Sequence, residues 1–330
     1  MIVNERICYF DVAKGILILF LVMSHFGIAL NHAGIDAENS FFLPWYYPQP
    51  LYIVFFMQCF FIISGFFSKF DLDARLFFKK LVKQLLIPWV FFEIVRVSFG
   101  ASQGEFQNLF PAKEYSTLWF LNALLFAKLI CWLINQSTKS KHIMLIVTFI
   151  FLLIGVILNQ YSIGDNILYY KHGLMSSFFV AVGYFLKHKS NLYESLLKYS
   201  GILFVIIIAG RFLHYYNLPV QDATIDVTLS NVYVFILTSL SGSFGFLFLC
   251  KKIANNRFLE YFGRNSLIIY GLHMLPYVII MGLARQWIGL STQTHAIIFM
   301  IGTYFVELVA MILVIELLNI KYLRILVGKF

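Results

Sequence analysis

Ten apolar runs of about the length that crosses a bilayer follow one another along these 330 residues, near 10–31, 51–68, 84–99, 117–135, 142–159, 167–186, 197–216, 230–250, 266–284 and 295–319. Hydrocarbon offers the backbone no water, so each spanning run must satisfy its own N–H and C=O groups, as a helix does. The chain is 60% hydrophobic and only 12% charged, with a mean hydropathy of +0.81, far beyond what a soluble domain of this length needs. The runs lack the period-two alternation of membrane strands, which argues against a barrel. The expected fold is all-α: a polytopic integral membrane protein of about ten transmembrane helices, the third the shortest, forming one domain over residues 1–330. No linker, low-complexity stretch or internal repeat interrupts it.

Basic residues orient such helices, because cytoplasmic loops retain Lys and Arg. With the N-terminus inside, 18 of the 25 Lys and Arg fall in inner segments, and only Lys113 and Arg285 in outer loops. Both termini are therefore expected in the cytoplasm. The same split accounts for most of the net charge of +9, so nucleic acid is not needed as a partner. The first run reads as a retained helix, not a cleaved leader. Cys8, Cys59, Cys131 and Cys250 form no CxxC pair and no outer-loop pair. Neither a disulfide framework nor a zinc site is expected, and no other metal site.

Within the first run lie Lys14 and His25, and ionisable groups at such depth are expensive enough to mark a function. They are eleven residues apart; at ~100° per residue this is roughly 20° past three turns, so both project from one face, about 16 Å apart along the axis. Asp11, three residues before Lys14, is placed to pair with it.

Several motifs, taken in order, resemble the acyltransferase-3 family of bacterial membrane O-acyltransferases, most closely its fucose 4-O-acetylase-like branch. They are Phe10-Asp11-xx-Lys14-Gly15 with His25; Phe55-Phe56-Met57 through Phe61-Ile-Ile-Ser64-Gly65-Phe66; the basic run ending in Leu86-Ile87-Pro88-Trp89; Leu118-Trp119-Phe120-Leu121; and Gly263-Arg264-Asn265-Ser266-Leu-Ile-Ile-Tyr270-Gly-Leu-His273. The resemblance implies that His25 is catalytic, taking a proton from an attacking hydroxyl and returning it to a leaving group. One departure is Lys80-Leu-Val-Lys83 where the family often has Arg-xx-Arg; lysine keeps the point charge and loses the bidentate fork. The extracytoplasmic esterase-like domain of some relatives is absent from these residues.

The remaining candidates follow from this reading. Lys14, Lys79, Lys80 and Lys83 form a cationic mouth at the inner end, suited to the phosphates of cytoplasmic acyl-CoA. By its spacing alone, the stretch 69–83 reads first as an amphipathic helix, solvated or touching anionic headgroups, and second as a phosphate site. Towards the outer side, Arg96, Asn122, Lys171, His172, Arg211 and His214 either line a vestibule for a hydroxyl-rich or anionic glycan or anchor helix ends by snorkelling. Glu93 is spaced to pair with Arg96. Trp119 shares a face with Asn122 and suits either a sugar ring or an interfacial anchor. Ser266, Tyr270 and His273 fall on one helix face, where they bind neighbouring helices or else line the acyl tunnel and orient His25. Glu307, at mid-depth, is the better placed of the two acids of the last run.

The expectation is a membrane O-acyltransferase, an O-acetyltransferase, of the bacterial cytoplasmic membrane. It would carry an acyl group from acetyl-CoA, a donor substrate and not a resident cofactor, to a sugar hydroxyl of a cell-surface polysaccharide or its lipid-linked precursor. The rival reading is a transporter or flippase for a glycan or small anion, since buried charges serve such pathways too. The missing repeat counts against it, and a purely structural role leaves the buried charges without purpose.

Overall fold

The computed structural model describes residues 8–26, 52–102, 118–164, 167–213, 227–285 and 293–329, and every regular element among them is helical. In chain order these are α1 (Cys8–Ser24), α2 (Phe56–Phe67), α3 (Ala74–Leu81), α4 (Ile87–Ser102), α5 (Trp119–Thr138), α6 (Lys141–Gln160), α7 (Tyr170–Lys187), α8 (Ser190–Leu213), α9 (Val232–Lys252), α10 (Arg257–Arg264), α11 (Ser266–Leu272), α12 (Met274–Arg285) and α13 (Gln293–Leu318). By length and composition α5, α6, α9 and the Ile298–Leu318 stretch of α13 are each sufficient to cross a membrane. Large apolar side chains face outward, Ile94, Ile202 and Leu313 among them at 60% exposure or more. That is an outer surface made for hydrocarbon.

Contacts between helix ends fix the helix directions. Tyr9 near the start of α1 meets Tyr193 near the start of α8, 2.8 Å apart. Lys251 at the end of α9 pairs with Glu194 at 2.6 Å. Lys187 at the end of α7 donates to the Ser68 carbonyl just past α2 (2.9 Å), and Tyr261 of α10 donates to Glu316 near the end of α13 (2.6 Å). Starts and ends thus alternate at this end of the molecule, hereafter the basic end.

Two expected spans come out differently. The run 51–68 is a regular helix only over Phe56–Phe67. The turn before it is held by α9, whose Ser239 hydroxyl donates to the Val54 carbonyl at 3.0 Å. The run 266–284 is split into α11 and α12 at His273. Pro276 is the cause: without an N–H it cannot bond the Leu272 carbonyl, so the ladder breaks one turn earlier. A second proline acts more gently. The basic stretch is one helix with α4, joined through a π turn at Val82–Leu86 in which the Ile87 N–H reaches the Val82 carbonyl. Widening the helix there relieves the clash that the Pro88 ring would make with the Gln84 carbonyl.

Glycines set the closest helix approaches. A Cβ on Gly15 would overlap the Leu259 backbone, and one on Gly263 would overlap the Asp11 carbonyl, so α1 and α10 touch backbone to backbone. Gly65 and Gly183 do the same for α2 and α7. Small residues at such crossings replace the hydrophobic driving force that lipid removes. Beyond α2, the connector is latched to α5 and α7. Trp132 donates to the Leu72 carbonyl (3.0 Å), Asn135 to the Phe70 carbonyl (3.1 Å), Gln136 to both, and Tyr184 to Asp71 (2.8 Å). Asp73 then caps α3, accepting from Leu76 N–H at 2.9 Å.

Candidate active site

Two helix interruptions put two imidazoles together. His25 sits just past α1, its N–H bonded to the Leu21 carbonyl at 3.1 Å, and His273 sits at the α11–α12 break. His25 Nδ1 lies 2.6 Å from His273 Nε2, with the ring planes 13° apart. His273 Nδ1 lies 2.9 Å from the Ile269 carbonyl and 3.1 Å from that of Tyr270. Carbonyl oxygens only accept, so His273 Nδ1 must carry the proton, and its Nε2 then holds the lone pair. His25 Nδ1 is in consequence the donor to His273. The network therefore assigns the neutral pair one tautomeric arrangement, leaving His25 Nε2 as the basic nitrogen.

Three turns away on the same face of α1 is a cluster of charges. Lys14 bonds Asp11 at 2.8 Å, and Asp11 is 8% exposed against 26% for Lys14. Asp11 also faces Arg264 at 3.6 Å, and Arg264 bonds Glu260 at 2.5 Å. The glycine crossing of α1 and α10 is what permits this, since any side chain at Gly263 would push Arg264 away from Asp11. Sequence reading paired Asp11 with Lys14 and missed Arg264 and Glu260. The signal was Gly15 and Gly263, one small residue beside each charged one.

Between the charges and the imidazoles, Ile18 and Leu21 line a cavity of about 70 Å³. Met57 and Phe60 of α2, Phe120 of α5, and Ser266, Leu267 and Tyr270 of α11 complete it. The Tyr270 hydroxyl is held from outside, accepting the Phe120 N–H at 3.0 Å, which fixes the start of α5 to α11. Ser266, Tyr270 and His273 thus have separate duties: cavity wall, helix tie and partner of His25.

A second cavity, about 190 Å³, opens at the basic end and is lined by Lys69, Lys80 and Lys128 with Ser68 and Gln84 among its polar groups. Of the three expected lysines only Lys80 faces it; Lys79 is exposed and Lys83 half-buried elsewhere on the same helical run. Lys69 and Lys128 were missed because they come from the connector and from α5. No periodicity within one segment could assemble them.

Towards the opposite end, Glu93 and Arg96 pair at 2.8 Å. The Trp119 ring lies 5.6 Å from His172, and Tyr169 lies 5.4 Å from it on another side. Tyr169 is delivered there by two successive left-handed residues, Leu168 and Tyr169, at φ 51° and 57°, conformations that non-glycine residues hold only when packing enforces them. Buried Asn122 has an amide nitrogen without a hydrogen-bond partner among the described residues, as has Ser176 at its hydroxyl, and Gln58 at both ends of its amide. The Lys171 ammonium donates to the Gly164 carbonyl (2.7 Å) and the Leu158 carbonyl (3.3 Å), tying down the end of α6. Glu307 is fully buried, with no hydrogen bond at either oxygen among the described residues. Arg211 lies in the last turn of α8, and its side chain, like all of His214, lies outside the described residues.

Among the described residues no group of three or more His, Cys, Asp or Glu could hold a metal ion. No curated protein and no solved structure matches the chain. The acyltransferase-3 family model, described as an acyltransferase domain, matches residues 7–314 and so takes in the His pair, the charge cluster and both cavities. A match over nearly the whole length leaves one conclusion: the chain belongs to the acyltransferase-3 family of multi-pass membrane acyltransferases.

Proposed function

We propose that the protein is an O-acetyltransferase of the bacterial cytoplasmic membrane, working from cytoplasmic acetyl-CoA onto a hydroxyl of a cell-surface polysaccharide or its lipid-linked precursor. In this reading the membrane is crossed ten times, with both termini and the basic end in the cytoplasm. The observation that carries it is the hydrogen-bonded His25–His273 pair, set beyond an apolar cavity from Lys14.

His25 Nε2 takes the proton from the sugar hydroxyl as its oxygen attacks the thioester carbonyl carbon. The tetrahedral species collapses, the C–S bond breaks, and the departing thiolate takes that proton back from Nε2. The products are the sugar ester and free CoA, with His25 restored. His273 Nε2 holds the His25 Nδ1–H throughout, fixing the ring and stabilising it while it carries both protons. Lys69, Lys80 and Lys128 supply positive charge for the donor's phosphates at the basic end, and Lys14 with Arg264 does so nearer the path. On the far side Trp119 and His172 offer ring faces, and Asn122 and Gln58 offer amides, a combination that suits a hydroxyl-rich ring.

The test is acyl transfer by protein purified into nanodiscs, with radiolabelled acetyl-CoA and a lipid extract from the producing cells as acceptor. Labelled ester and acceptor-dependent CoA release are expected, and both should fall at least ~100-fold in His25→Ala, in line with general acid–base contributions. Undiminished transfer by a folded His25→Ala variant overturns the assignment of His25. Movement of glycan without CoA release would instead favour transport, a reading that membership of an acyltransferase family already weighs against.

A further inference from the structure

We infer that the 70 Å³ cavity between Lys14 and His25 is the seat of the acyl group, and that its α2 wall, Met57 and Phe60, restricts the donor to short acyl chains. The inference rests on the acyl-CoA reading above and adds a site and a size limit to it.

Position comes first. Leu21, on the cavity wall, holds the His25 N–H through its carbonyl, and the Tyr270 carbonyl lies within 3.1 Å of His273 Nδ1. The cavity therefore begins one helical turn from the imidazole pair, on the side facing Lys14. A group lodged in it would lie about one helical turn, ~5 Å, from His25.

Chemistry comes second. Ile18, Leu21, Met57 and Phe120 are buried apolar side chains, and no charged residue lines the cavity. The Tyr270 hydroxyl already accepts the Phe120 N–H. Such a wall suits hydrocarbon and excludes phosphate or a sugar, which would leave buried polar groups unpaired.

Size decides the chain length. A dry protein cavity of ~150 Å³ accommodates benzene, with its six carbons. A cavity of about 70 Å³, roughly half as large, accommodates about three heavy atoms, the count of an acetyl group. Phe60 and Phe120, with ring centroids 5.8 Å apart, close the α2–α5 side. Met57, 2% exposed, is the flexible part of that wall, so truncating it enlarges the cavity with the least disturbance.

Equilibrium binding of CoA, acetyl-CoA, butyryl-CoA and hexanoyl-CoA to the full protein in nanodiscs, without acceptor, tests this apart from catalysis. Acetyl-CoA is expected to bind the wild type at least ~10-fold more tightly than hexanoyl-CoA, a span typical of methylene discrimination in an apolar pocket. Met57→Ala and, independently, Phe60→Ala should reverse most of that preference and leave the affinity for CoA itself unchanged. Equal affinity of the wild type for all four ligands overturns the inference. So does an unaltered acetyl-to-hexanoyl ratio in both variants when CoA still binds. If a variant loses CoA binding through misfolding, the wild-type series alone decides. Failure of the wild type to bind any CoA species overturns the acyl-CoA reading itself, a result distinct from indifference to chain length.

Discussion

A single proton assignment organises the candidate site. His273 faces two carbonyl oxygens through Nδ1, so the proton there and the direction of the His25–His273 bond follow from acceptor chemistry alone. Replacing His273 by Phe removes the acceptor for His25 Nδ1 and leaves a buried donor without a partner. The expected outcome is a fall in kcat of about 10- to 100-fold, matching a hydrogen bond to a charged group, with KM for the donor nearly unchanged. His273→Gln, whose amide oxygen accepts, should recover part of the loss in steady-state assays. Equal loss in both variants would point to packing and not to the bond. The Asp11–Lys14 and Glu93–Arg96 pairs were legible in the sequence because each spans three residues, and helical geometry alone brings such groups together. His25 and His273 stand 248 residues apart. One helix face put His25 with Lys14, but nothing in the spacing could choose between a helix tie and a histidine partner for His273.

At the scale of elements, the apolar runs were legible and their breaks less so. Pro276 and Pro88 were visible, yet one splits its helix and the other only widens it, a difference that residue type alone does not announce. The glycine crossing between α1 and α10 makes a sharp prediction. Gly263→Leu forces these backbones apart and should separate Arg264 from Asp11, with thermal unfolding in detergent lowered by several degrees, as expected for overpacking of ~1–3 kcal/mol. Gly282, where an added Cβ meets nothing within 4 Å among the described residues, is the control; Gly282→Ala, within a helix, should not lower the melting temperature. The connector after α2 offers a pH test. Burial would raise the Asp71 carboxyl, but hydrogen bonds from Tyr184 and Asn135, with His188 and Lys141 nearby, outweigh it and hold Asp71 below the usual carboxylate range. A depressed folded value stabilises the native state above the unfolded value of ~3.9 and ceases to do so as pH falls through the folded value. Asp71→Asn should therefore melt below wild type at pH 7, and the difference should shrink as pH is lowered below about 4. A gap that stays constant over that range would assign the effect to hydrogen bonding alone.

For the whole molecule, the division between a basic end and an opposite aromatic, amide-bearing end rests on helix direction. Asp11 near the start of α1 faces Arg264, Tyr261 of the same α10 bonds Glu316 near the end of α13, and Lys329 donates to Asn319 at 2.7 Å and also bonds Asn265. The first and last described segments consequently meet at one end, whatever membrane surrounds them. In the proposed orientation, retention of basic residues on the inner side puts that end in the cytoplasm. Green fluorescent protein, which matures only inside, should fluoresce when fused at either terminus, and alkaline phosphatase should be active when inserted beside Lys113 and inactive at both termini. Termini reporting opposite sides would break the alternation inferred from the contacts. Termini both reporting outside would preserve the fold but reverse the path, leaving the lysine-lined cavity on the side where no acyl-CoA is made. The proposed donor route would then fail even with the histidine pair intact, because a thioester carrying several negative charges does not cross a bilayer unaided.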